Sequence, residues 1–237
     1  GLNAFTSYDV TCYMNSFHSY QMERWLTLYA DRLTNPVFRS FQAELENVFE
    51  EYNMYLDDNS THVRNFIFGK LYEGHAYARN IIGYPEDLKN PKLRKLIDFY
   101  NTWYVPNNMA LILVGDFEIE TTKPLIEKTF GKLQSRPLPE RTKYPTTAFT
   151  QDERYTAKLG YMPELNIAYN GVAVGDKDEL TLNFVANLLS NSMQIGLLDQ
   201  LTLDNKLMYA VAANDTRRDQ GRFFVVAVPY MDAQTQT

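Results

Sequence analysis

The sequence predicts an α+β fold, with a mostly antiparallel sheet and helices packed on one face of it. The first observation is the order of the expected elements: a strand, helices, a strand and a helix, then a linker, a strand, helices and two strands. Mixed connections of this kind are typical of α+β domains. The second is composition, because 45% of the 237 residues are hydrophobic and 14% are aromatic, as in globular proteins. The third is length, which is ample for a packed core.

Charge and cysteine content exclude several classes of protein. The net charge is −6, from 23 basic and 29 acidic residues, which argues against nucleic-acid binding because phosphate contact needs a basic patch. The single cysteine, Cys12, excludes an intramolecular disulfide and a zinc site with several cysteines. No apolar run approaches the ~18 residues of a membrane span, so none is expected.

Periodicity places the elements of the first half of the chain. A strand is expected first, followed by helices in which apolar residues recur at helical spacing. A buried strand is expected at Met109–Val114. The predicted strand is Phe5–Tyr13, and the predicted helices are Ser19–Leu33, Phe41–Leu56, Val63–Leu71, Leu93–Trp103 and Thr121–Leu133.

The second half follows a stretch rich in proline. Residues 134 to 163 contain four prolines and predict an extended linker with one or two edge strands. We therefore expect 1–134 and 164–237 to be two parts of one domain, joined by a linker at 135–163. Strands are expected at Leu165–Val174, Leu207–Ala213 and Phe223–Pro229, and helices at Asp178–Asn191 and Gly196–Leu203.

The helix predicted at Phe41–Leu56 is acidic. Glu44 and Glu51 lie seven residues apart, so on a helix they point the same way, about 10.5 Å from each other, with Val48 between them. The ordinary interpretation is a solvated face. The alternative is a pair of carboxylates at the edge of the buried face, where each must be paired, protonated or bound to a metal. Glutamate is a normal zinc ligand.

No other motif in the sequence completes a metal site. The three histidines, His18, His62 and His75, include no pair four residues apart, and neither H-E-x-x-H nor H-x-x-E-H is present. The sequence also has no nucleophile elbow, P-loop or dinucleotide-binding glycine motif. The residues alone support only an α+β domain with an acidic helix.

Several stretches together resemble the pitrilysin/insulinase-type zinc metallopeptidases, which include the mitochondrial processing peptidases and bacterial zinc proteases. Each match is loose, but they occur in the family's order over most of the chain. The stretches are Asn3–Ser7 running into Val10–Tyr13, Ala30–Phe38 (ADRLTNPVF), Glu44 with Glu51, Gly74–Tyr77 with Ile82 and Gly83, Tyr104–Asp116 (YVPNNMALILVGD), Phe130–Leu133, and Leu197–Leu198 through Met208–Val211.

The resemblance implies a zinc-dependent endopeptidase or oligopeptidase with a mitochondrial-processing-peptidase-like fold, in which metal-activated water hydrolyses the peptide bond. Glu51 matches the third zinc ligand, and Glu44 matches an acidic position that supports the site. The strand edge that pairs with extended substrate is matched by Asn3, Ala4, Phe5 and Thr6. Cys12 and His75 match no catalytic position.

The sequence departs from the family because it contains no H-x-x-E-H helix. That helix, with two histidine ligands and the general base, is expected before residue 1, so the chain reads as a fragment truncated at the N-terminus. It is expected to be inactive alone and to bind no zinc by itself, although the parent protein would bind zinc. Retention of both glutamates favours an active parent. The alternative is a non-catalytic family member that serves as a scaffold for peptides or subunits.

The resemblance also implies partners and a compartment. The expected partners are a peptide substrate, the remaining domains of the parent protein, and a second copy of the chain paired through an exposed sheet edge. Resemblance alone indicates the bacterial periplasm or cell envelope. A third hypothesis, outside the family, is a plain binding module whose acidic helix is solvated surface.

Overall fold

The structure is a computed structural model that describes residues 1–89, 91–146 and 149–230. The strands are β1 (Leu2–Thr6), β2 (Thr11–Asn15), β3 (Leu165–Asn170), β4 (Tyr209–Asp215) and β5 (Arg222–Val228). The helices are α1 (Met22–Thr34), α2 (Phe41–Leu56), α3 (Asn59–Leu71), α4 (Pro85–Lys89), α5 (Leu93–Trp103), α6 (Ile119–Thr129), α7 (Glu179–Leu189) and α8 (Leu197–Leu203).

The chain divides into two compact units. The first consists of Gly1–Tyr52 with Ile82–Thr142, and the second of Asn53–Ile81 with Lys143–Thr237. Both units therefore contain two separate stretches of the chain. The linker predicted at 135–163, with its two flanking parts, stays a prediction. The described residues from 134 to 163 contain no helix and no strand, so the one or two edge strands expected there are absent from this part.

The first unit packs α1 against α6. Leu26 is fully buried on α1, one turn before the buried Ala30, so the apolar stripe of the helix faces the core. Trp25 stacks between Phe17 and Tyr29, and its indole N–H donates to Asn15 at 2.9 Å. This bond ties the end of β2 to α1.

The second unit contains a three-stranded antiparallel sheet in the order β3-β5-β4. Helices α7 and α8 lie against β4, and the core between them is formed by Ala186, Ala212 and Phe223. The small alanines let the helix approach the sheet closely, while Phe223 fills the remaining space. Gly196 allows the turn into α8, because a Cβ there would lie 2.5 Å from the carbonyl oxygen of Leu189.

The first predicted strand is a hairpin. Phe5–Tyr13 was expected as one strand, but β1 and β2 pair antiparallel around Ser7–Val10, where the Ser7 amide donates to the Val10 carbonyl at 2.8 Å. The sequence offers no Asn-Gly or Gly-Gly turn signal there, so the reversal had no local marker.

The segment Met109–Val114 also differs from its prediction. It was expected as a buried strand, but it forms no ladder within the described residues, and Val114 is 93% exposed. A short apolar run predicts only that the segment favours burial. Whether anything covers the run depends on other parts of a protein.

Candidate functional site

Both glutamates singled out from the sequence lie on one helix, as expected. Helix α2 begins after Ser40, which has a positive φ of 57° and whose carbonyl accepts from the Glu44 amide at 2.9 Å. Glu44 and Glu51 are both exposed, and Val48 between them is half-buried. No residue of α2 is fully buried. The shared face is therefore open to solvent.

The strand β1 carries all four residues expected to bind substrate backbone, and the hydrogen-bond pattern defines its free edge. The amides of Ser7 and Ser16 donate to Val10 and Gly1, so odd-numbered residues of β1 form the hydrogen-bonded pairs with β2. The N–H of Ala4 consequently points to the outer edge, where it donates to the Asn3 side chain at 2.8 Å. Within the described residues, β1 pairs only with β2.

The described residues do not form a zinc site on their own. No three side chains of His, Cys, Asp or Glu among them are close enough to share a metal ion. A catalytic zinc ion takes three protein ligands, and Glu51 could supply one. The assignment of Glu51 as a ligand and Glu44 as its support stays a prediction, as does the substrate role of Asn3–Thr6.

The histidine of the glycine-rich loop is a packed residue. His75 is buried, and its Nδ1 accepts from the Tyr77 amide at 3.1 Å, so the ring proton of the neutral form lies on Nε2. Nε2 faces the Asp219 carboxylate at 3.7 Å. These contacts give His75 a role in holding the loop before β5.

Sequence reasoning missed a set of half-buried charges in the second unit. We call it the arginine–aromatic cluster (Arg217, Arg222, Asp215, Phe68 and Tyr72). The Asp215 carboxylate accepts from Arg217 at 2.7 Å and from Arg222 at 3.2 Å. The two guanidinium groups lie 4.8 and 4.4 Å from the centre of the Phe68 ring, within cation–π range. Burial raises the pKa of Tyr72 to about 12 and lowers the pKa of Arg222.

The cluster joins parts of the chain far apart in sequence, so no local pattern could reveal it. Phe68 and Tyr72 come from the end of α3, whereas the charged residues flank the turn between β4 and β5. The run DTRRDQGR at 215–222 is charged enough to read as an exposed hairpin loop. Only the fold turns two of its arginines inward.

Two protein-family models match the chain and identify its family. The family described as "Insulinase (Peptidase family M16)" matches residues 1–85, and the one described as "Peptidase M16 inactive domain" matches residues 92–230. The chain belongs to peptidase family M16. The resemblance to pitrilysin/insulinase-type metallopeptidases is thereby confirmed, and with it the class of hydrolase.

The most similar relatives agree on the family and the fold. The zinc protease PqqE of Helicobacter pylori is 25% identical over 236 residues, which is 95% of this chain and 52% of the relative. A solved Helicobacter pylori protease matches 97% of this chain and 58% of its own, with a TM-score of 0.82 and 22% identity. The periplasmic protease PqqL of Escherichia coli matches 97% of this chain and 27% of its own, with a TM-score of 0.74 and 20% identity.

These matches confirm the predicted α+β fold with antiparallel sheet. The chain spans about half the length of the curated relatives that it matches over most of its length. The relatives' names identify zinc proteases, so the family gives a zinc-dependent peptidase as the expected context. Among the described residues, no helix has both the length and the apolar character needed to cross a membrane.

Proposed function

We propose that this chain is part of a zinc-dependent endopeptidase or oligopeptidase, to which it contributes Glu51 as one metal ligand. Membership of peptidase family M16 is the observation that carries the proposal. The placement of Glu44 and Glu51 on one continuous helix supports it, because both carboxylates are held at a fixed spacing. Glu44 would support the metal site as an acidic residue that does not itself bind the metal.

The chain alone would not cleave peptides. Its described residues offer at most one of the ligands that a catalytic zinc ion needs, and the two histidines and the general base would come from elsewhere in the protein. The rest of that protein is thus the first proposed partner.

The outer edge of β1 would bind the substrate. Ala4 presents an N–H away from β2, so an extended peptide could add to the hairpin as a further strand. Main-chain pairing of this kind tolerates many side chains, which suits a peptidase of broad selectivity.

The proposal also includes pairing with a second copy of the chain and a cellular location. Met109–Val114 is largely exposed and belongs to no ladder within the described residues, so another copy could pair with it. The similarity to a periplasmic protease of Escherichia coli supports a periplasmic or cell-envelope location.

Metal content and turnover of the longer protein test the catalytic part of the proposal. We expect Glu51→Gln to abolish cleavage of a quenched fluorescent peptide and to lower the zinc content measured by mass spectrometry. Glu50→Gln, an exposed neighbour on the same helix, is the matched control and should leave both unchanged. Glu44→Gln should lower activity or zinc affinity by about 10- to 100-fold.

Two results would contradict it. Unchanged zinc content and turnover in Glu51→Gln would remove the ligand role. A longer protein that binds peptides without zinc and without turnover would instead be the non-catalytic scaffold.

The substrate edge has its own test. Ala4→Pro removes the outward N–H while leaving the ladder between β1 and β2 intact. We therefore expect KM for a peptide substrate to rise about fivefold with little change in kcat, because one neutral hydrogen bond to the substrate is lost. Ala4→Ser keeps the N–H and serves as the control. Equal KM values in both variants would exclude pairing along this edge.

A further inference from the structure

The guanidinium group of Arg222, at the start of β5, is held in place but keeps spare hydrogen-bond donors. Its central carbon lies 4.4 Å from the centre of the Phe68 ring and 4.2 Å from that of Phe224, and its Nε donates to Asp215 at 3.2 Å. Within the described residues, the side chain of Arg222 makes no other hydrogen bond. It retains 16% of its exposure, so a ligand can reach its two Nη groups from solvent.

The arginine–aromatic cluster contains more positive than negative charge. Arg217 and Arg222 both donate to the same oxygen, Oδ2 of Asp215, at 2.7 and 3.2 Å. These three groups also exert the largest charge effects on the pKa of Tyr72. Two guanidinium groups against one carboxylate leave one positive charge in excess, and partial burial strengthens its attraction for an anion. A ligand with a single negative charge would balance it.

Two nearby sets of charges leave this excess in place. Arg218 and Asp219 pair with each other at 3.0 Å, so together they add no net charge. Glu179 accepts a hydrogen bond from the Thr216 hydroxyl at 2.9 Å, and it is not among the main groups that shift the pKa of Arg222. The unbalanced charge therefore stays with the cluster.

A buried hydroxyl in the cluster is a second, independent indication of a ligand. Tyr72 is fully buried, and its hydroxyl has no hydrogen-bond partner within the described residues. The Tyr72 ring packs edge-on against Phe68, with 5.5 Å between the ring centres, and its centre lies 5.7 Å from the Arg217 guanidinium. Burial raises the pKa of Tyr72 to about 12, so the hydroxyl stays protonated at neutral pH. It is a donor without an acceptor, in a cluster whose excess charge attracts one.

We propose that the arginine–aromatic cluster binds one carboxylate group, which Arg222 holds through its two Nη groups and to which the Tyr72 hydroxyl donates. A guanidinium edge and a carboxylate match as two parallel N–H···O bonds. The aromatic contacts already restrict the arginine side chain, which lowers the entropic cost of binding. A chloride ion offers only one acceptor atom, and a phosphate dianion would carry surplus negative charge into partly apolar surroundings.

Two sources carry this chemistry: a small carboxylic acid, and the carboxylate of a peptide. Binding requires neither zinc nor Glu51, so it goes beyond the proposed peptidase function and can be tested without turnover. Failure here would leave the peptidase proposal standing, and the reverse also holds.

NMR of the 237-residue chain, isotopically labelled in arginine, tests the site. The probes, at equal concentrations in a buffer without carboxylate, are sodium acetate, sodium chloride, and N-acetylated trialanine with either a free or an amidated C-terminus. We expect acetate or the free-acid peptide to shift the Nε–H signal of Arg222 saturably at millimolar concentration, and chloride to bind about fivefold more weakly. The amidated peptide should not bind. Saturation by the free-acid peptide alone would assign a peptide as the source, and similar affinities for acetate and the peptide would assign a small acid.

Variants separate these contacts from a general effect of charge. In the unchanged chain, acetate should raise the melting temperature more than chloride does. Arg222→Lys keeps the cation but removes the planar fork, so this difference should disappear. Arg218→Lys, in the same turn but outside the cluster, is the matched control and should keep it. Tyr72→Phe should weaken acetate binding about tenfold while leaving the unliganded chain at least as stable, which a purely structural hydroxyl would not do.

Four results would overturn the proposal. The Arg222 signal might show no saturable shift with either acetate or the free-acid peptide, or equal affinity for acetate and chloride. The acetate effect could be lost equally in Arg218→Lys and Arg222→Lys, which would indicate diffuse attraction by a basic turn. Unchanged acetate affinity in Tyr72→Phe would also contradict it, because the hydroxyl is part of the proposed site.

Discussion

Helix α2 exposes its charged side chains to solvent, whereas the arginine–aromatic cluster pairs its charges inside the fold. On α2, Glu44 and Glu51 are exposed on a helix with no fully buried residue. In the cluster, Arg217 retains only 10% of its side-chain exposure and is held by Asp215 and three aromatic rings. Removing a charge from water is costly unless it is paired, so the cluster is committed to the fold while the α2 carboxylates are not.

This difference separates a region whose charges are paired inside the fold from a helix whose two glutamates are exposed to solvent. The catalytic roles proposed for this chain lie on α2 and not in the cluster. Substitutions in the two regions should therefore diverge, with large effects on unfolding in one and small effects in the other. The following experiments test that division.

The largest effect is expected from Arg217→Met. The change leaves Asp215 with Arg222 alone and removes a cation from the faces of Phe68, Tyr72 and Tyr77. We expect the free energy of unfolding, measured by urea denaturation, to fall by about 3 kcal/mol. Arg94→Met is the control, because Arg94 is 91% exposed, and should cost under about 0.5 kcal/mol. Similar losses in both variants would show that the cluster is not the stabilising region.

Tyr72→Phe should have the opposite sign. The Tyr72 side chain is fully buried, and within the described residues its hydroxyl has no hydrogen-bond partner. Removing that hydroxyl should raise the free energy of unfolding by about 1 kcal/mol, since a buried unpaired polar group is a cost. A decrease would reveal a partner for the hydroxyl in solution.

The same residue gives a prediction in alkaline solution. The pKa of Tyr72 is raised from 10.0 to about 12, so its contribution is complete below pH 10 and is lost as the pH rises through the folded value near 12. The loss of stability between these limits should be smaller in Tyr72→Phe, in denaturation curves measured at pH 9 and pH 11.

Asp219 gives a prediction at low pH. Hydrogen bonding from Arg218 lowers the pKa of this carboxyl below 3.8. The ionised form therefore stabilises the fold above that value, and the contribution disappears as the pH falls through the lowered folded pKa. Asp219→Asn should cost about 0.5 to 1 kcal/mol at pH 7 and nothing extra at pH 2. A constant difference at both pH values would exclude charge as the cause.

The smallest effect on stability is expected where the largest effect on activity is proposed. Glu44→Gln and Glu51→Gln should each change the free energy of unfolding by less than about 0.5 kcal/mol, because both are exposed. Thermal and urea denaturation of the 237-residue chain measure this directly. A loss of 2 kcal/mol or more would place α2 among the stabilising elements.

Long amphipathic helices were predictable from the sequence, because a repeated apolar spacing is a local property. Helices α2 and α5 begin and end at the predicted residues. The short helix α4 (Pro85–Lys89) was not predicted, because five residues are too few to show a helical period. The hairpin at Ser7–Val10 was missed for a different reason, because its turn contains neither glycine nor asparagine.

Of the candidate site, the sequence predicted correctly that Glu44 and Glu51 lie on one helix, whereas their role at a metal stays a prediction. Glu44 and Glu51 needed nothing beyond the helical repeat. The arginine–aromatic cluster requires the end of α3 to pack against the turn between β4 and β5. Such meetings depend on tertiary packing, which a single sequence does not specify.

The exposed ribbon Met109–Val114 has a practical consequence for anyone who handles this polypeptide. Five of its six apolar residues are exposed, and the segment belongs to no ladder within the described residues, so a similar segment of another copy can pair with it. Light scattering by the purified chain should therefore increase with protein concentration as the chain aggregates. Ile112→Lys should suppress this aggregation while leaving the melting temperature almost unchanged.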